Sequence, residues 1–168
     1  GGAIDSPPTV VGARVFFGCT DGTVTCLHAP DGAAMWTFRA APWDRRIVSY
    51  GRVESTWPVP GSVLVHKNTV YFAGGRSSYL DGGIYMYGLD AATGAIRHRL
   101  QLSGPYPDLT KPSNRAHEMD GSRNDILVSN GEKIFLTQNV FDMALAPQAA
   151  PIIARYGARN TDLLLVAS

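Results

Sequence analysis

The chain has 168 residues, 45% of them hydrophobic and 17% charged, with a formal net charge of +1. So much apolar surface against so little charge excludes a disordered chain and supplies one domain with a core. The 15 Lys+Arg are matched by 14 Asp+Glu, so nucleic acid is not an expected partner, and no apolar run approaches the ~18 residues of a membrane span.

The first strand signals are Val10-Val11 and Val15-Phe16-Phe17, on either side of the polar turn Gly12-Ala13-Arg14. Cys19 and Cys26 flank Thr20-Asp21-Gly22, a hairpin turn signal. A two-residue turn sets Cys19 opposite Val24 and diagonal to Cys26. A three-residue loop sets Cys19 opposite Thr23, with the thiols on opposite faces. Neither arrangement suits a disulfide, so two buried, unbridged thiols are expected.

The strand Thr23 to Leu27 leads through the turn His28-Ala29-Pro30-Asp31-Gly32 to Met35-Trp36-Thr37-Phe38. The same order then recurs. Val63 to Val65, a polar turn, and Val70 to Phe72 are followed by Ile84 to Leu89, the turn Asp90-Ala91-Ala92-Thr93-Gly94, and Ile96 to Leu100. A third copy begins with Ile126 to Val128, the turn Ser129 to Lys133, and Ile134 to Leu136. Consecutive apolar residues in such short strands imply cover on both faces, as when sheet stacks on sheet. Pro147 and Pro151 interrupt the Ala-rich stretch Ala144 to Ala154, so no long helix is expected.

Four-stranded sheets repeated along a chain are the blades of a β-propeller. The expected fold is all-β: about two complete antiparallel blades, near residues 9–39 and 62–102, and part of a third near 125–168. Val15, Phe17, Leu27, Val70, Phe72, Leu89, Ile134 and Leu136 are expected to be buried at equivalent blade positions.

The unit ARVFFGCTDGTVTCLHAPDGAAMWTF resembles the pyrroloquinoline-quinone (PQQ) type propeller repeat, and NTVYFAGGRSSYLDGGIYMYGLDAATGAIRH resembles it with an insertion before the third strand. In that family an Asp-x-x-Thr-Gly turn and a later Trp brace adjacent blades. Asp90, Thr93 and Gly94 match the turn. In the first unit Gly32 and Trp36 match, while His28 and Asp31 replace the Asp and Thr. His98 stands where the second Trp would be. A propeller has ~4–8 blades, and ~40–50 residues per blade exceed this chain's supply for a ring. The expectation is therefore a fragment whose first partners are other blades of the same full-length chain. The resemblance implies a bacterial periplasmic or cell-envelope setting.

The long connections Ala40 to Gly61, Gly74 to Gly83 and Ser103 to Asn124 all fall at one end of the blades, where binding residues concentrate. Gly74 to Gly83 lacks the Lys and the following helix of a phosphate loop, and reads as an extended hairpin. Arg76 and Asp81 flank it, while Arg52, Glu54 and Trp57 lie in the connection entering the same blade. These five are expected to meet in a small polar pocket near the ring axis, suited to a protein partner or a small anionic or sugar ligand. His117, Glu118 and Asp120, with Asp125, form the most metal-like cluster, but without zinc spacing. The expected function is a non-catalytic binding or scaffold propeller. The alternative implied by the resemblance is part of a PQQ-dependent quinoprotein oxidoreductase, of alcohol or sugar dehydrogenase type, using PQQ and calcium. No stretch reproduces the family's calcium-binding pattern or its adjacent cysteines, and no Gly-x-Ser-x-Gly elbow offers a nucleophile.

Overall fold

The structure, a computed structural model, describes residues 2–49, 51–104 and 122–149. Among these residues every regular element is a strand, and no helix is long and apolar enough to cross a membrane. The first sheet runs in order through β1 (Thr9–Val11), β2 (Arg14–Gly18), β3 (Thr23–His28) and β4 (Ala34–Arg39). A separate hairpin follows, β5 (Arg46–Ser49) paired with β6 (Arg52–Ser55). The second sheet comprises β7 (Leu64–His66), β8 (Thr69–Gly74), β9 (Ile84–Asp90) and β10 (Ile96–Leu102). The third comprises β11 (Val128–Ser129), β12 (Lys133–Leu136), β13 (Asn139–Asp142) and β14 (Pro147–Gln148). All pairings are antiparallel between neighbours in sequence, so each sheet is a four-stranded meander, or blade. The third blade is the slightest, its outer strands having two residues each. Pro147 can stand in β14 because an edge strand has one side free of ladder bonds.

The blades stack through two apolar clusters. Phe16, Val24 and Cys26 of the first blade meet Val70, Phe72, Tyr87 and Leu89 of the second. Tyr71, Ala73, Ile84 and Met86 of the second meet Ile134, Leu136 and Phe141 of the third. Alternate residues of β8 thus serve opposite neighbours, as the period of two requires, and every residue of β8 is buried. Val70, Phe72, Leu89, Ile134 and Leu136 are buried as expected. Val15, Phe17 and Leu27 are only half-buried, and Phe16 takes the buried place in β2 at 1% exposure. The reason is sidedness. Phe16 points at the second blade, while Val15, Phe17 and Leu27 occupy the opposite face of the first.

A brace locks the first two blades. Trp36 packs on Phe16 with ring centroids 5.9 Å apart, and its indole N–H donates to the Ala91 carbonyl at 3.2 Å. Gly94 turns with φ +73°, and a Cβ there would lie 2.9 Å from the Trp36 ring. Asp90 holds this turn by accepting from the Ala92 and Thr93 amides at 2.9 Å each, and it also pairs with Arg97. The next brace is built differently. His98 stacks on Tyr71 with planes 3° apart, and the Tyr71 hydroxyl donates to the Met143 carbonyl at 2.8 Å. Met143 follows Asp142 as Ala91 follows Asp90, so the accepting carbonyl keeps its place. The donor has moved from the fourth strand to the second.

The β2–β3 loop resolves the cysteine alternatives. Gly18 pairs with Val24, and the Cys19 amide donates to the Thr23 carbonyl at 2.9 Å, which closes a three-residue loop. Both cysteines are free and buried.

Candidate functional site

The first strands of the first two blades converge. Thr9 Oγ1 donates to the Val63 carbonyl at 2.6 Å, and the Ser62 amide donates to Ser6 Oγ at 2.6 Å. Gly61 is required at this crossing, because a Cβ would lie 2.5 Å from the Ser6 carbonyl oxygen. At the long-loop end of these strands is an open cleft of about 410 Å³, a size that small ligands or single side chains occupy. Its wall takes Asp5 and Ser6 from the segment before β1, Pro60 from the segment before β7, and Asn124 and Asp125 from the segment before β11. Aligning the repeats on Val15, Val70 and Ile134 places Ser6, Gly61 and Asp125 in register, with Asp5, Pro60 and Asn124 one step earlier. The cleft is therefore built from the same repeat position of all three blades.

Gly75 and Arg76 close the cleft from the loop after β8. Gly75 has φ +128°, and a Cβ there would lie 2.8 Å from the Gly83 carbonyl oxygen, so the hairpin base needs glycine. Arg76 Nη2 donates to Glu54 Oε2 at 2.8 Å, with both side chains mostly covered. Its Nε is buried without a partner, as are Asn124 Oδ1 and Ser77 Oγ. Asn124 spends its amide group on the loop, donating from Nδ2 to the carbonyls of Ala73 and Gly75 at 2.9 and 2.8 Å. The segment Ser122 to Asn124 also runs beside Arg76 to Ser78, through Ser78 N–H to the Ser122 carbonyl at 2.8 Å and Asn124 N–H to the Arg76 carbonyl at 2.9 Å. The third blade's lead-in is thereby fixed to the second blade's long loop.

Of the five residues expected here, the structure brings together Arg76 and Glu54. Asp81 does not join them: it accepts from Arg45 Nη1 at 3.0 Å. Its φ of +53° and a bond from Trp57 Nε1 to its carbonyl at 3.0 Å fix the far end of the loop. Trp57 is 2% exposed, packed edge-on to Tyr85, so its indole orders the connection and offers no surface to a ligand. Arg52 is exposed at the start of β6 and does not line the cleft. Arg52 and Glu54 share one face of β6 and are split by their place along it: Arg52 lies at the end where β5 turns into β6, and Glu54, two residues nearer the second blade, is the one that meets Arg76. His117, Glu118 and Asp120 lie outside the described residues. Among the described residues no group of three or more His, Cys, Asp or Glu could hold a metal ion. Asp5, Ser6 and Asn124 were not expected, and Asp125 was expected only beside the metal-like cluster, although their shared repeat position is a signal the sequence contains.

The charge balance of the cleft follows from these contacts. Glu54 neutralises Arg76, whereas Asp5 and Asp125 are exposed carboxylates. Among the described residues the mouth is therefore acidic on balance.

No family model matches the chain, and no curated protein matches it. Solved structures similar to it include two alcohol dehydrogenases and BamB. A europium-containing methanol dehydrogenase aligns at 19% identity and TM-score 0.45, over 61% of this chain and 16% of that one. The quinohemoprotein alcohol dehydrogenase ADHIIG from Pseudomonas putida aligns at 20% identity and TM-score 0.45, over 67% and 15%. BamB from Moraxella catarrhalis aligns at 16% identity and TM-score 0.50, over 96% and 40%. The chain thus spans well under half the length of each. The likeness to BamB and the three stacked meanders agree on one architecture: this chain is built of β-propeller blades.

Proposed function

We propose that the protein is a non-catalytic binding propeller whose axial cleft receives a basic segment of a protein partner. The observation that carries this reading is the carboxylate surplus at a cleft formed by one repeat position of three blades. An anionic ligand, which the arginines alone suggested, would meet Asp5 and Asp125 while competing with Glu54 for Arg76. A lysine or arginine side chain would instead find two exposed carboxylates at the rim and a buried acceptor, Asn124 Oδ1, behind them. Each charged contact of this kind contributes on the order of 1 kcal/mol near a surface, so specificity would come from neighbouring loop contacts.

Isothermal titration with a lysine-bearing and a glutamate-bearing peptide of equal length tests the sign. Salt-dependent binding of the lysine peptide, lost in an Asp5→Asn/Asp125→Asn variant and kept in Arg76→Ala, is the expected result. Binding of the glutamate peptide, abolished by Arg76→Ala, would overturn it. The cell-envelope setting belongs to the same proposal, and fractionating cells that express the full-length protein tests it.

The residues present do not fit PQQ. That cofactor is a tricarboxylate, and the cleft offers it two carboxylates and one guanidinium already paired. No indole lines the cleft: Trp36 sits on Gly94, and Trp57 is buried against Tyr85. When PQQ and calcium are added to the full-length protein, no quinone absorbance is expected to remain with it after desalting.

A further inference from the structure

Trp43 is 65% exposed, whereas every other described tryptophan and phenylalanine is buried or half-buried. An indole is seldom left so far in water, because it is the largest apolar side chain a core can use. The ring is nonetheless firmly held. Pro42 restricts the chain just ahead of it. Two residues on, the Arg45 carbonyl accepts from both the Thr56 amide and its hydroxyl, at 2.9 and 3.0 Å. Beneath it lies the buried Trp57, with ring centroids 5.6 Å apart and planes at 55°.

The same buried indole places a charged pair. Trp57 Nε1 donates to the Asp81 carbonyl, so Trp57 carries the Trp43 ring on one side and the Asp81 backbone on the other. Asp81 holds φ +53°, a left-handed conformation that a non-glycine residue keeps only where its surroundings over-determine it. Its Oδ1 accepts from Arg45 Nη1, and the guanidinium remains 63% exposed. The neighbouring Gly82 carbonyl is fixed in turn by Gln101 Nε2 at 2.7 Å, which also donates to the Tyr85 hydroxyl at 3.1 Å. A flat apolar ring and a fixed donor–acceptor pair thus share one rigid base. The nearby charges are largely matched: Arg39 and Arg46 both reach Asp44, at 3.5 and 3.3 Å, and Arg45 reaches Asp81.

We propose that Trp43, Arg45 and Asp81 form a platform for a neutral glycan. A pyranose ring has C–H groups on its faces and hydroxyls around its rim. One face packs on the Trp43 indole, and rim hydroxyls accept from Arg45 and donate to Asp81. A hydroxyl is both donor and acceptor, so adjacent hydroxyls satisfy the two halves of the pair together. A small anion would have to displace a carboxylate from each arginine it approached, and a cation would meet three guanidiniums. Because the ring and the pair are already ordered, little freedom is lost on binding. The platform shares no residue with the wall of the axial cleft, so it stands independently of what the cleft receives.

Saturation-transfer-difference NMR on the 168-residue chain tests the proposal, with cellohexaose, maltohexaose and mannohexaose as probes. At least one of them should receive saturation, concentrated on the axial ring protons of one sugar face, with a dissociation constant on the order of 1 mM. Trp43→Ala should abolish the transfer, and Trp43→Tyr should keep the affinity within about threefold, since a phenol ring also offers a flat face. Asp81→Asn, which tolerates the left-handed backbone, should weaken binding about fivefold, so the pair is tested without touching the ring. Asp5→Asn/Asp125→Asn should leave binding unchanged, which keeps a failure here distinct from a failure of the cleft reading. No transfer to any of the three probes would overturn the proposal. So would transfer that survives Trp43→Ala or disappears in Asp5→Asn/Asp125→Asn. Co-sedimentation with phosphatidylglycerol vesicles that depends on Trp43 would also overturn it, because the ring would then serve a lipid surface.

Discussion

Gly94 and Gly32 offer a matched pair of substitutions. Both hold φ near +70° in turns with the same hydrogen bonds, so alanine at either costs about 1–2 kcal/mol for the left-handed conformation. At Gly32 nothing more is lost, since the space above it is open. At Gly94 the new methyl would stand 2.9 Å from Trp36 Cδ2, and the indole must lift. Lifting it breaks the bond from its N–H to the Ala91 carbonyl, worth about 1 kcal/mol. It also loosens the contact with Phe16, about 1–2 kcal/mol of apolar burial. Gly94→Ala should therefore destabilise by about 3–5 kcal/mol and Gly32→Ala by about 1–2. Urea unfolding followed by circular dichroism measures both, and a red-shifted tryptophan emission in Gly94→Ala reports the released indole. Equal losses at the two sites would refute the claim that the brace, and not the turn, sets the value of Gly94.

Phe72→Ala should cost about 3–5 kcal/mol, because Phe72 is buried between Phe38 and Tyr87, while Phe17→Ala on the open face should cost about 1 kcal/mol; chemical denaturation compares them. The Asp90 carboxyl is pulled down to about 2, chiefly by the Thr93 N–H it accepts, with the Ala92 amide and Arg97 adding to it. A lowered folded-state value means stability that is fully present above about pH 4 and is lost as the pH falls toward about 2; Asp90→Asn should flatten that part of a stability-versus-pH curve. Burial pushes both the Cys19 and the Cys26 thiols up, so a disulfide reagent at about pH 8 should react slowly with the native chain and at full rate once it is unfolded.

The blades were legible because each strand is short, apolar at consecutive positions and closed by a polar turn, and because the order repeats. The facing of side chains was not legible for the first blade. Val15-Phe16-Phe17 is apolar throughout, so only the position of the neighbour distinguishes Phe16, which meets one, from Val15 and Phe17, which do not. The hairpin of β5 and β6 lay hidden in a connection, its Val48 and Val53 being 77% and 64% exposed and thus no guide to a core. In the site, the meeting of Arg76 with Glu54 followed from both segments leaving one end of the blade. The partner of Asp81 depended on Arg45, which lies within the connection Ala40 to Gly61, outside any strand signal. Asp5 and Asn124 entered because first strands converge, which is a property of stacked sheets and not of any local pattern.

The complete burial of β8 has a consequence for how this protein tolerates change in chain length. Val70 and Phe72 are read by one neighbour, and Tyr71 and Ala73 by the other, so the strand is a text written in two interleaved alphabets. One residue inserted before Val70 would hand each neighbour the other's letters and spoil both boundaries together. Insertions and deletions should therefore accumulate at the loop ends of the second blade long before they are accepted in β8.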